Sequence, residues 1–122
     1  MKIQKRLAVS LFTAVMTLSS CSLLTASQKG YERIKEDIKS SMISPSSYKC
    51  EGAECYYYVQ TAVYPYQYKI DYSGENIFGV RLNVTVYYGY SSGLDVAKSY
   101  GFDSSYFDSA KLNGKKELII AS

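Results

Sequence analysis

The strongest constraint on the fold is a change in the spacing of apolar residues, from a helical period to a strand period. In residues 28–43, apolar side chains recur every three or four positions, which predicts one stripe along a helix. These residues are Tyr31, Ile34, Ile38 and Met42. Apolar and polar side chains then alternate over residues 55–63, 66–73 and 80–90, as in strands buried on one face. A helix followed by such strands predicts an α+β fold.

The predicted architecture is one amphipathic helix packed on a curved antiparallel sheet of four to five strands. Thr25 and Gln28 fit a capping box at the helix start. Pro45 ends the helix, because it disfavours helical geometry at the preceding residue. The helix stripe is expected to pack on apolar strand residues. These are Val59, Ile70, Leu82, Val84 and Val86.

The last third of the chain gives weaker signals. Residues 95–100 predict a short helical turn that stops at Gly101. An Asn-Gly pair between alternating runs is a strong hairpin signal. Asn113-Gly114 therefore predicts a final hairpin over residues 106–112 and 115–120.

The N-terminus has the pattern of a secretory signal peptide. Three basic residues precede an apolar stretch over 7–18, which is shorter than the roughly 20 residues that span a bilayer. Leu18-Ser19-Ser20-Cys21 then resembles the box of bacterial lipoproteins. The resemblance implies that Cys21 is thioether-linked to diacylglycerol, carries acyl chains such as palmitate, and becomes the first residue after cleavage. The alternatives are an uncleaved membrane anchor or an ordinary secreted protein.

The chain is thus predicted to hold a signal peptide over 1–20, a lipid-attached tether over 21–27 and a single α+β domain over 28–122. The resemblance implies the extracytoplasmic face of a bacterial membrane. Because Ser22 rather than Asp follows the Cys, that membrane would be the outer one in a cell with two.

The charge of the domain argues against a nucleic-acid partner. The net charge of the whole chain is +3, and Lys2, Lys5 and Arg6 of the signal account for all of it. The mature chain is therefore neutral and lacks the basic surface on which nucleic-acid binding depends.

The chain contains no His, which removes the commonest general base and metal ligand. A catalytic Ser-His-Asp or Cys-His site therefore cannot be built. A zinc site with His ligands is excluded for the same reason. A pair of carboxylates would need a cleft that holds them at a set separation. The candidates are Glu51, Glu54, Asp71, Glu75, Asp103 and Asp108. We interpret them as solubilising charges, and predict no enzymatic activity, no metal and no cofactor.

Cys50 and Cys55 are the thiols that remain after lipidation. The extracytoplasmic compartment permits oxidation, and Gly52 allows the intervening chain to turn. A disulfide that closes this small loop is therefore predicted. By the chain-entropy relation it would stabilise the folded state by ~2 kcal/mol. Free thiols are the alternative.

Tyrosine is the unusual component of the chain, with fourteen Tyr and no Trp. Consecutive tyrosines must point to both faces of a strand, so one set of rings is expected to be exposed. Tyr is enriched at the energetic centres of interfaces. We predict a surface that binds protein or glycan, built from Tyr56, Tyr58, Tyr64 and Tyr87. The alternative is that Tyr serves strand propensity and a small core.

A second resemblance covers about residues 30–90. The segment Ile43 to Lys49, and the later pattern of Tyr68, Ile70, Asn76 and Phe78-Gly79, resemble small uncharacterised envelope domains of bacteria and phages. The resemblance implies a lipid- or membrane-anchored domain without a settled activity. Arg81 departs from the pattern, because it follows Gly79 by two residues rather than four.

The function predicted from these features is a non-enzymatic, lipid-anchored module that binds another protein of the envelope. The resemblance to phage-borne domains narrows the predicted function to that of an exclusion or immunity protein, by analogy alone. The alternative is a solute- or glycan-binding lipoprotein that uses the tyrosine-rich sheet.

Overall fold

The computed structural model describes residues 24–59 and 63–122. The predicted signal peptide and Cys21 lie outside the described residues. The elements, in chain order, are α1 (Ala26–Ser41), a 3-10 turn (Pro45–Ser47), β1 (Lys49–Tyr57), β2 (Tyr66–Glu75), β3 (Arg81–Ser91), β4 (Val96–Gly101), α2 (Ser105–Asn113) and β5 (Lys115–Glu117).

The strands form one sheet in the order β4-β3-β2-β1-β5, and every neighbouring pair is antiparallel. The predicted α+β class and the antiparallel sheet are confirmed. Because β2 and β3 are antiparallel neighbours, their shared turn lies at one end of the sheet. The β1–β2 and β3–β4 connections lie at the other end.

The helix α1 begins where the capping signal places it. Thr25 Oγ1 accepts a hydrogen bond from the Gln28 backbone N–H at 3.2 Å. The Gln28 side chain does not complete the capping box, because it bonds to Glu32 and to the backbone of Ile120. The predicted stripe faces the sheet, with Tyr31, Ile34 and Ile38 buried and Met42 partly buried.

Gly30 allows α1 to approach the sheet closely. A Cβ atom at this position would collide with the Tyr68 hydroxyl oxygen and would lie 2.7 Å from Tyr90 Cδ2. The two rings fill the space under the first turns of α1, and both are buried. Tyrosine rings therefore share the layer between helix and sheet with buried isoleucines, which are Ile34, Ile38 and Ile70.

The buried tyrosine hydroxyls find partners at the edges of this layer. Tyr68 Oη donates to the Ser27 carbonyl at 2.7 Å. Tyr88 Oη donates to the Asp37 carboxylate at 2.6 Å. The other pairs are Tyr90 with Asp95 at 2.7 Å and Tyr31 with Tyr48 at 3.0 Å. Each ring adds apolar area to the core while its polar tip stays hydrogen-bonded, which favours a core role for these tyrosines.

The helix α2 covers part of the opposite face of the sheet. Phe107 and Ala110 are buried there, three residues apart on one side of the helix. The predicted strand over 106–112 is therefore wrong. The helix forms because the second sheet face offers an apolar surface, and tertiary packing of this kind overrides a weak local signal.

Gly114 has a different role from the one its Asn-Gly context predicts. A Cβ atom here would collide with the Tyr57 carbonyl oxygen. The glycine thus lets the end of α2 pack against the backbone of β1, and its N–H donates to the Ala110 carbonyl at 2.7 Å. The pair marks a helix end, not a hairpin turn.

The segment predicted as a helical turn over residues 95–100 is the edge strand β4. It pairs with β3 through Tyr90 and Ala97, among other partners. The open edge of β3 supplies a hydrogen-bonding partner that local propensity does not reveal.

The predicted strand core is only partly correct. Ile70 is buried and Val86 packs against the core. Val59 is exposed because β1 ends at Tyr57, before it reaches this residue. Leu82 is also exposed, since it lies on the hairpin beyond the end of α1.

Cys50 and Cys55 are free thiols, so the predicted disulfide is wrong. Both lie in the extended strand β1, opposite Tyr72 and Tyr68, which are four residues apart on β2. At about 3.3 Å per residue, the two Cα atoms are separated by roughly 13 Å. A disulfide needs them within about 7 Å. Cys55 is buried, and loss of solvation raises the pKa of its thiol to about 12.

Gly30→Ala tests the close approach of α1 to the sheet. Ala is favoured over Gly in a helix by about 1 kcal/mol, but the added methyl group would displace the rings of Tyr68 and Tyr90. We expect a net loss of about 1–3 kcal/mol in the free energy of unfolding, measured by urea denaturation. Ser40→Ala, at an exposed position of α1, is the control and should not destabilise. A Gly30→Ala variant as stable as the parent would contradict the packing described.

The buried tyrosines predict a loss of stability at alkaline pH. Burial raises the pKa of Tyr48 and of Tyr90 to about 12, and it raises the pKa of Tyr31, Tyr68 and Tyr88 as well. In the unfolded chain these hydroxyls titrate near pH 10. As the pH rises above about 10, the unfolded state releases protons that the folded state retains, so unfolding becomes easier.

Urea denaturation at a series of pH values measures this effect. The stabilising contribution of the raised pKa values should be intact below about pH 10 and should decline above it. In Tyr68→Phe the decline should be shallower, because one titrating hydroxyl is absent. An equally steep decline in that variant would show that Tyr68 does not contribute.

Candidate interaction surface

The four tyrosines predicted to bind a partner lie on or beside the sheet face opposite α1, and all are half-buried. The rings of Tyr56 and Tyr87 contact Phe107 of α2, with centroids 5.6 and 5.7 Å apart. The Tyr64 Cβ atom lies over Gly89, and Tyr58 N–H donates to the Pro65 carbonyl. The exposed aromatic face expected from the alternation is therefore half-buried, and a binding role for these residues stays a prediction.

The candidate carboxylates take part in separate local contacts. Glu51 accepts from Ser73, and Asp71 accepts from Thr85 across the strands. At the start of α2, Asp103 accepts a hydrogen bond from the Ser105 backbone, which lowers the pKa of that exposed carboxyl. Within residues 24–59 and 63–122, no group of three His, Cys, Asp or Glu side chains is placed to hold a metal ion.

A group of exposed apolar side chains lies at the β2–β3 turn, where the chain leaves the cover of α1. Phe78 is 81% exposed and Ile77 is 69% exposed. Val80 and Leu82 lead from this turn into β3, and Ile43 lies just beyond the end of α1. We call these five residues the hairpin-tip patch. Large exposed apolar patches of this kind mark interaction sites in folded proteins.

The turn that carries Ile77 and Phe78 is held by Asn76. Its Oδ1 accepts hydrogen bonds from Phe78 N at 2.9 Å and from Val80 N at 3.1 Å. The Asn76 N–H also donates to the Val80 carbonyl at 3.0 Å. Gly79 adopts a φ of +73°, a backbone conformation that residues other than Gly and Asn rarely take. The apolar tip is therefore an ordered turn.

A shallow groove of about 200 Å³ joins the patch to the end of α1. Its apolar lining comes from Met42, Ile43, Tyr72, Leu82 and Val84. Met42 lies directly over Gly74, where a Cβ atom would collide with its Cε. The groove exists because α1 ends at Ser41 while β2 and β3 continue towards the turn.

A polar network braces the base of the hairpin. Arg81 Nη1 donates to Ser73 Oγ at 2.8 Å and to the Ser47 carbonyl at 3.0 Å. Arg81 also lies 3.8 Å from the Glu75 carboxylate. Ser47 Oγ in turn accepts from the Glu75 backbone N–H at 2.8 Å. These contacts tie the hairpin to the 3-10 turn and place charged groups at the rim of the patch.

The alternation predicts strands over 66–73 and 80–90 but says nothing of the turn between them, so it does not identify the patch. The signal that could have found it is the composition of the turn. Turn residues are ordinarily polar or glycine, whereas Asn76 and Gly79 here enclose Ile77 and Phe78. Ile77 and Phe78 are exposed and add little to the core, so they are candidates for a binding role.

The chain matches no protein-family model, no curated protein sequence and no solved structure. The resemblance to phage-borne envelope domains therefore stays a prediction. Among the described residues, neither helix combines the length and the apolar character needed to cross a bilayer.

Asn76→Ala tests whether the turn is held by this side chain. Loss of two hydrogen bonds at a partly exposed site should cost about 1–2 kcal/mol in stability. It should also speed hydrogen exchange at the Phe78 and Val80 amides, measured by NMR or mass spectrometry. Asn83→Ala on the neighbouring strand is the control. Unchanged exchange at both amides in Asn76→Ala would contradict the described turn.

Proposed function

We propose that the protein is an extracytoplasmic lipoprotein, anchored through Cys21, that binds another protein of the cell envelope through the hairpin-tip patch. In this proposal it has no catalytic activity and no cofactor. The lipoprotein box over Leu18–Cys21 supports the anchor. The ordered exposure of Ile77 and Phe78 is the observation that carries the binding function.

The patch has the organisation of a small protein-binding site. An aromatic side chain and several aliphatic ones form its centre, and the charged pair of Arg81 and Glu75 lies at its rim. Protein interfaces commonly combine an apolar centre with a polar rim. Because the Asn76 hydrogen bonds fix the turn before binding, little conformational entropy has to be lost in the complex.

The solute- or glycan-binding alternative receives less support. It needs a concave aromatic pocket with converging polar groups. Tyr56 and Tyr87, two of its four candidate rings, are engaged by Phe107.

Site-specific photo-cross-linking in the native envelope tests the proposal. A photoreactive phenylalanine replaces Phe78 in one variant and Leu112 in the other. Leu112 is the control, since it is just as exposed but lies on α2. We expect a discrete adduct with one envelope protein from position 78 and none from position 112. The same adducts from both positions, or none from position 78, would contradict the proposed surface.

Phe78→Ser gives a second, quantitative measure on the purified pair. Truncation of a central interface aromatic costs about 2 kcal/mol or more, which corresponds to about thirtyfold in affinity. Leu112→Ser should leave the affinity unchanged.

Cys21→Ala separates anchoring from binding, because it should release the protein from the membrane while the purified domain retains its affinity for the partner.

A further inference from the structure

A second group of exposed aliphatic side chains surrounds the start of α1, at the end of the fold opposite the hairpin-tip patch. Leu118 is 83% exposed and Ile120 is 80% exposed. Leu24 immediately precedes the N-cap of α1, and Leu94 lies in the turn between β3 and β4. Both are also exposed. We call these four residues the helix-start patch.

The C-terminal segment holds two members of this patch in place. Ser27 Oγ donates to the Leu118 carbonyl at 3.3 Å. Gln28 pairs with the backbone of Ile120 in both directions, accepting at 2.7 Å and donating at 2.9 Å. Between them, Ile119 packs against the core. Ile119 is partly buried against the core, whereas its neighbours Leu118 and Ile120 are exposed beside the start of α1.

The other two members border a shallow hollow on the opposite side of α1. Leu24 and Lys29 line it together with Ser92 and Asp95 of the β3–β4 turn, next to Leu94. The patch therefore draws on three separate parts of the chain. Lys29 and Arg33 lie in this hollow with three carboxylates, those of Glu32, Glu36 and Asp95. The hollow therefore has a formal charge of −1, and any contact with a bilayer depends on the aliphatic side chains rather than on attraction to anionic lipid.

The distance to the lipid anchor limits what can lie against this patch. Only three peptide units separate Cys21 from Leu24. Fully extended, they span at most about 11 Å. The headgroup region of one leaflet is about 5–8 Å thick. A lipid on Cys21 therefore keeps the start of α1 within a few ångströms of the bilayer surface in any conformation of the tether.

We propose that the helix-start patch rests on the lipid headgroup region of the bilayer that holds the Cys21 anchor. This inference rests on the lipid anchor of the proposed function. Aliphatic side chains gain free energy at the boundary between headgroups and acyl chains. The patch thereby fixes the orientation of the domain. The helix α1 has 16 residues and is about 24 Å long, so the hairpin-tip patch points away from the membrane.

The absence of Trp from the chain allows a direct test. A single Trp introduced at Leu118, Ile120 or Leu94 is the sole indole in the protein. The full-length lipidated variants are reconstituted in vesicles of phosphatidylethanolamine and phosphatidylglycerol that contain bromine-labelled lipid. Phe78→Trp is the matched control at the opposite end. Thermal unfolding confirms that each variant is folded, and intact mass confirms the lipid on Cys21.

We expect bromine quenching and a blue-shifted emission for the indole at positions 118, 120 and 94, and neither for position 78. The quenching should persist at high salt, since salt screens charges but does not weaken apolar contacts. In Leu94→Trp combined with Leu118→Ser and Ile120→Ser, quenching at position 94 should fall by more than half. Those two substitutions are at exposed positions, so thermal unfolding should not change.

The other outcomes separate two failures. A protein that carries the lipid but shows no quenching at positions 118, 120 and 94 overturns the docking surface and leaves the anchor intact. Quenching at position 78 alone overturns it as well, since the domain would then be inverted. If intact mass shows no lipid on Cys21 and the protein does not float with vesicles, the anchor itself is wrong and the docking surface is wrong with it.

Discussion

The contact between Gly30 and the rings of Tyr68 and Tyr90 is the constraint on which the rest of the domain depends. Because the helix has no side chain there, α1 lies directly on the tyrosine layer. That close approach brings the Ser27 carbonyl within reach of Tyr68 and the Asp37 carboxylate within reach of Tyr88. Rings and hydroxyls thus position the same helix, the rings through packing and the hydroxyls through directional bonds.

The sheet supports two small cores, one under each helix, and each occupies only part of its face. On the first face, α1 ends before the hairpin does, which leaves the groove beside Leu82 open. On the second, α2 covers Tyr56 and Tyr87 through Phe107. Each helix therefore leaves part of its sheet face uncovered, and apolar side chains on that uncovered part are exposed. The hairpin-tip patch lies where the apolar surface of the hairpin continues beyond its cover.

Sequence reasoning predicted the parts of the fold that have strong local periods. The helix stripe and the alternation in β2 and β3 correspond closely to the observed elements. It failed for β4 and α2, whose conformations depend on surfaces that exist only after the sheet has formed. The Cys50–Cys55 disulfide failed for a related reason, because loop length alone does not show that the segment is extended. Alternation could not show that Tyr56 and Tyr87 are half-buried, because Phe107, which covers part of them, is distant in sequence. The hairpin-tip patch lies in a turn between two predicted strands, and hydrophobic periodicity carries no information about the side chains of a turn.

The pairing of Gln28 with Ile120 joins parts of the chain that are 92 residues apart. Long-range contacts of this kind delay the completion of folding until the later segment is present. The first helix of this domain cannot make its full set of contacts until residues 118–122 have been synthesised. In the export that the proposed function implies, residues 118–122 would cross the membrane after α1, so the helix would complete its contacts only on the far side.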